Sequence, residues 1–182
     1  CGSNLLFTTY LSRTSEAWLA GPRAGSQVQW PANVGASAEG QEGLGAKVKA
    51  TPGAIGYGGT TALKASGLPS VLLKNAAGEF VRAEPGSFAK AAAAEDWSAP
   101  GFSVDLVEEH AAGAWPILGA SFALVAADPV ADKVETTRNI FKFFDWAYKN
   151  GAAAADGLGY ASIPQSAIPH VEAAWRAAKD PS

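Results

Sequence analysis

At 182 residues, about half of them apolar and with both charge signs interspersed, the chain is long enough to bury a real core in one large or two small globular units, which excludes intrinsic disorder. A formal charge of −3 without a dense basic cluster argues against nucleic acid as a partner. No run approaches the roughly 18 apolar residues of a membrane-spanning helix, and no charged segment leads into an apolar core of the kind that marks an export signal.

Taken in chain order, the first predicted element is a helix from Asn4 to about Trp18. Leu5, Leu6, Phe7, Tyr10, Leu11 and Trp18 recur at near-helical spacing, with Ser3 or Asn4 as N-cap. A long connection rich in Gly, Pro and Ser follows. Helical composition returns over Glu42 to Ala50 and stops before Thr51-Pro52-Gly53. "AIGY" reads as a short buried strand, and "TTALKASG" as a short helix ended by Gly67. Two apolar runs around Asn75-Ala76-Ala77-Gly78 predict a hairpin, followed by a small Ala-rich helix over Ser87 to Ala94. Ser121 to Ala126 is the strongest strand candidate, and its lack of alternation predicts burial on both faces. Val130 to Asn150 predicts the longest helix, with Ile140, Phe141, Phe144 and Tyr148 packed on that strand and Gly151 at its C-terminal end. A last helix runs from about Gln165 to Ala178. Interleaved strands and helices place the chain in the α/β class.

Catalytic chemistry finds little support. The adjacent Glu108 and Glu109 point in different directions on any regular element, which disfavours an acid/base pair and favours a solvated loop. "GAIGYGGTT" lacks the Lys-Ser/Thr ending of a phosphate-binding P-loop. Serine occurs without a nucleophile elbow, His110 and His170 are far apart and read as surface residues, and the single cysteine joins no group with metal-ligand spacing. Trp18, Trp146 and Trp175 sit at core spacing on helices. The reading is a binding protein, neither an enzyme nor a metalloprotein, with no cofactor. The stretch with a physical claim to a ligand is Cys1-Gly2-Ser3-Asn4, small residues whose backbone N–H groups open a helix and lie at the positive end of its dipole, a favourable place for an anion.

"LLFTTYLSRTSEAW", "VQWP", "VKATPGAIGY", "AAGEFV", "SFAKAAA" with "DW" after it, "AWPI" and "KFFDWAYKNG" follow one another in an order that closely resembles the PstS family, the phosphate-binding proteins of bacterial phosphate ABC transporters. The resemblance runs from Cys1 to the final helix and covers the C-terminal portion of the family chain. It implies a two-lobed, type II-like periplasmic solute-binding fold lacking its N-terminal part. Residues 1–107 would form most of one lobe and residues 108–182 the crossover and part of the other. It further implies inorganic phosphate as ligand, an ABC permease as partner, and a periplasmic location. Carried over position by position, Cys1 falls on a ligand serine of the family's phosphate loop, Gly2 on a ligand glycine and Ser3 on a ligand threonine. The loop's Arg and Asp, and the ligands on the first half of the family chain, have no counterpart. "YGGTT" after "AIG" departs from the larger residues usual in the family. An incomplete cleft implies that the N-terminal segment or a second copy of the chain completes it. Cys1 stays open between three readings: a ligand-position replacement at a cut, a lipidated N-terminus anchoring the protein at the cell surface, or a residue without a role.

Overall fold

The computed structural model describes residues 2–32, 35–107 and 110–177. Cys1, Glu108, Glu109 and the end of the predicted last helix lie outside them. The first helix, α1 (Gly2–Thr14), begins two residues earlier than the spacing suggests, so Ser3 and Asn4 belong to its first turn and neither is its cap. It also ends earlier. Ser15 turns extended (φ −139°) and its side chain accepts from the Trp18 N–H, capping a separate short helix, α2 (Glu16–Ala20).

Helix α3 (Gly40–Ala50) stops before Thr51-Pro52-Gly53, as the sequence predicts. The "AIGY" segment is not a strand. It has no regular secondary structure and no ladder pairing among the described residues, and Ile55 is 87% exposed. Helix α4 (Thr60–Ser66) then ends on Gly67, whose φ of +63° is a left-handed conformation that a side chain resists.

The predicted hairpin is present as β1 (Leu73–Lys74) and β2 (Phe80–Val81), antiparallel with Leu73 opposite Val81. Its turn is closed by the Gly78 N–H donating to the Asn75 carbonyl at 2.9 Å, with Gly78 at φ +84°. The Asn75 side chain donates to the Ala114 carbonyl (3.1 Å), which ties the hairpin to the loop ahead of Trp115. Helix α5 (Pro85–Ala94) starts on its proline, where a missing N–H costs nothing.

Ala92, Trp97, Leu106 and Ala167 form a buried cluster supported by Phe102, Val104, Leu118 and Ile163, and the Trp97 indole donates to the Ala92 carbonyl at 2.7 Å. Val107 and Ile117 form an antiparallel bridge beside it. Among the described residues, strand pairing is confined to this bridge and the hairpin. The fold is thus helix-rich α/β with a small sheet.

The segment from Ser121 to Ala126 overturns its expectation. It is irregular, with Phe122 57% and Leu124 97% exposed. A strand apolar on both faces needs neighbours to pair its backbone and a packed layer over each face, and no strand among the described residues pairs with it. The long helix α6 (Val134–Asn150) starts four residues late, after a single 3₁₀ turn over Ala131–Lys133. Its aromatic face packs on a different partner from the one the spacing suggests. Phe141 and Tyr148 meet Trp175 of the last helix, α8 (Ile168–Ala177), at ring distances of 5.3 and 5.9 Å. Between them lies the short α7 (Ala152–Leu158). Trp146 does not share in this face and is mostly exposed, contrary to its core reading. His110 and His170 are exposed, in keeping with theirs.

Candidate functional site

The start of α1 carries the residues that sequence reasoning singles out. Gly2 and Ser3 are exposed in the first helical turn, and a side chain at position 2 would meet no atom within 4 Å. Backbone N–H groups of an opening turn have no partner within their helix, and this turn contains no carboxylate to occupy them. The arrangement offers hydrogen-bond donors and the positive end of a helix dipole to an anion. Cys1, the third predicted residue, lies outside the described residues.

Behind this turn the helix is anchored by polar contacts. Asn4 is buried, and its amide donates to the carbonyls of Gly25 (3.2 Å) and Ser26 (3.0 Å). Its Oδ1 accepts from the Tyr57 hydroxyl at 2.6 Å. One turn further on, the fully buried Thr8 hydroxyl accepts from the Gly25 N–H (3.0 Å) and donates to the Asn4 carbonyl (2.8 Å). Phe7 stacks on Tyr57 at 4.2 Å, and the Trp30 ring lies 5.9 Å from Tyr57 and 5.2 Å from Trp18. Burial pushes the Tyr57 phenol above its ordinary pKa, so it remains a donor throughout the neutral range. Tyr57 and its link to Asn4 escape sequence reasoning, although Asn4 itself belongs to the stretch singled out for an anion. Asn4 reads as a capping residue and Tyr57 as the end of a strand, and no spacing announces that they meet.

A groove of about 460 Å³ lies elsewhere, between the hairpin, the start of α5 and the loop at Gly113. Arg82, Lys90, Glu79 and Glu84 line it together, and the Glu79 carboxylate accepts from the Gly113 N–H at 2.5 Å. Neither Gly2 nor Ser3 lines it. Among the described residues no three His, Cys, Asp or Glu side chains are grouped to hold a metal ion, and no helix is long and apolar enough to cross a membrane.

Comparison with known proteins adds what geometry alone lacks. No model of a known protein family matches the chain. Individual proteins do. The chain is 38% identical over 176 residues to the phosphate-binding protein PstS of Pasteurella multocida, an alignment covering 96% of this chain and 50% of that protein. The phosphate-binding protein PstS of Haemophilus influenzae is 35% identical over the same share of this chain and 52% of its own length. The match is to part of PstS. A more distant PstS, from Methanocaldococcus jannaschii, is 29% identical over 90% of this chain. The chain spans about half the length of the PstS relatives it matches. Kinship with PstS over nearly the whole chain accords with the resemblance carried by "VKATPGAIGY" and "KFFDWAYKNG".

Proposed function

We propose that this chain forms part of a phosphate-binding component of an ABC-type phosphate uptake system, located in the periplasm, and that the first turn of α1 is one wall of its phosphate site. The observation that carries the reading is the coincidence of two facts. The chain matches phosphate-binding PstS proteins over 96% of its length, and the two described positions carried over as phosphate ligands, Gly2 and Ser3, open a helix with no acidic residue in its first turn. By the same carry-over Cys1 would fill a further ligand position. In this reading residues 1–107 contribute most of one lobe of a two-lobed fold, residues 108–182 contribute to the other, and phosphate is held between them. The activity is capture and delivery of phosphate to a membrane permease, without catalysis.

A complete phosphate site matches the charge of the anion and hydrogen-bonds every oxygen. One helix start supplies N–H donors and a hydroxyl, but neither a bidentate cation nor an acceptor that tells protonated phosphate from sulfate. Calorimetric titration of the 182-residue chain with phosphate and with sulfate tests the reading. The expected result is weak phosphate binding with little discrimination, converted to tight and phosphate-selective binding when the remaining portion of a PstS relative is supplied. Loss of all phosphate binding in that reconstituted protein would refute it and favour a structural or interaction role for this chain.

A further inference from the structure

We propose that Tyr57 is a positioning residue for the phosphate-binding turn of α1, acting through the Asn4 side chain. The inference rests on the reading of Gly2 and Ser3 given above and goes beyond it to a residue 53 positions away along the chain. An opening helical turn frays readily, because its N–H groups gain no helical bond to hold them. A turn that must aim those groups at an anion benefits from an anchor that fixes it before the ligand arrives. Asn4, directly after Ser3, is that anchor. The two carbonyls of Gly25 and Ser26 only accept, so they take the amide nitrogen, and the Oδ1 is left facing the Tyr57 hydroxyl. All three contacts of the buried amide are therefore complementary.

Tyr57 is itself held. Phe7, three residues along the same helix from Asn4, stacks on its ring with 17° between planes, and Trp30 lies 5.9 Å from that ring. On either side of it the backbone rests on α3. A side chain at Gly56 would come within 2.8 Å of Val48, one at Gly58 within 3.1 Å of Leu44, and the Gly59 N–H donates to the Gln41 side chain at 2.8 Å. The phenol thus links the backbone packed on α3 to the first turn of α1. This also gives "YGGTT" a physical role: glycines at 58 and 59 let the chain approach α3 closely enough to present Tyr57.

The test compares Tyr57→Phe with Tyr10→Phe in the 182-residue chain, using inorganic phosphate. Tyr57→Phe keeps the ring stack and removes only the hydroxyl. Tyr10→Phe removes a phenol bond to the Lys74 carbonyl (3.0 Å) from the same helix, six residues beyond Asn4. Phosphate binding is followed through the backbone amide signals of Gly2 and Ser3 by NMR titration, and thermal unfolding is measured in parallel. The expected result is a phosphate Kd raised three- to tenfold in Tyr57→Phe and unchanged in Tyr10→Phe, with both variants melting earlier. Asn4→Ser, which breaks the same link from the other side, is expected to match Tyr57→Phe and serves in its place should that variant not fold. If the wild-type chain responds to phosphate and Ser3→Ala weakens the response while Tyr57→Phe leaves Kd unchanged, the positioning role is overturned and the site stands. If the Gly2 and Ser3 signals of the wild-type chain do not respond to phosphate, the site and the positioning role fall together.

Discussion

Arg13, in the last turn of α1, spreads its guanidinium over both carboxylate oxygens of Asp105 and also donates to the Val107 carbonyl at 2.6 Å. The hydrogen bonds from Arg13 are the main reason the Asp105 carboxyl titrates below its ordinary range. A carboxyl whose folded pKa is depressed contributes stability above its unfolded pKa and loses it as pH falls through the folded value. The Asp105 side chain is 60% exposed, so solvent screening limits the pair to about 0.2–1 kcal/mol. Asp105→Asn is therefore expected to cost that much in urea unfolding at pH 7, and the gap to wild type should close as pH falls below about 4. A gap that persisted at acid pH would assign the loss to packing instead. At the other end of the same helix, Ser3→Ala removes one hydroxyl from the proposed phosphate wall. The expected loss is roughly 0.5–1.5 kcal/mol of phosphate binding, the net worth of an ordinary hydrogen bond, with unfolding unchanged because Ser3 is exposed. Phosphate titration of the Ser3→Ala variant checks it, and equal affinity in variant and wild type would remove Ser3 from the site.

Between elements, α6 and α8 provide the clearest aromatic contact. Trp175 lies between Phe141 and Tyr148, while Trp146, on the same helix as those two, is 59% exposed. Trp175→Ala is expected to cost about 1–3 kcal/mol, below the ~3–5 kcal/mol of a fully buried aromatic because Trp175 is only partly covered. Trp146→Ala should stay within about 0.5 kcal/mol of wild type. Denaturant unfolding of the two variants checks the contrast, and reversed costs would mean that α6 turns its other face inward. The sequence separates these tryptophans poorly, since both sit at helical spacing among apolar neighbours. It does better where the signal is local. The glycine that ends α4 and the Asn75 to Gly78 turn are each written in adjacent residues, and each appears where predicted, while α5 starts on Pro85, two residues ahead of its predicted start at Ser87. Ser121 to Ala126 fails for the opposite reason. Its pattern is that of a strand covered on both faces, a property of the layers packed around it rather than of the six residues themselves. The candidate site divides in the same way. Gly2 and Ser3 are legible as small residues before an apolar helical run, while the Asn4–Tyr57 link joins residues 53 apart and becomes visible only in the fold.

At the scale of the whole molecule, several large apolar side chains lie on the surface. Ile55, Phe122 and Leu124 are exposed on two segments whose sequences suit buried strands, and Trp146 and Phe143 are exposed on α6. The PstS relatives are about twice as long as the matched region. In the proposed two-lobed protein, the remaining portion of the family chain would supply the strands that cover these segments. When that portion is absent, apolar segments that join no strand ladder among the described residues are candidates for pairing with another copy. The 182-residue chain is therefore expected to self-associate in a concentration-dependent way, by pairing or by exchanging elements. Leu124→Lys places a charge in the most exposed of these apolar positions and should shift the chain toward monomer without lowering its stability, because Leu124 is 97% exposed. Sedimentation velocity across a range of concentrations reads both effects. A wild-type chain that stayed monomeric at the highest concentration would show that the exposed segments do not seek a strand partner, and the two-lobed assignment would lose its physical support. Association unchanged in Leu124→Lys would place the contact elsewhere, with the exposed face of α6 around Phe143 and Trp146 as the next surface to alter.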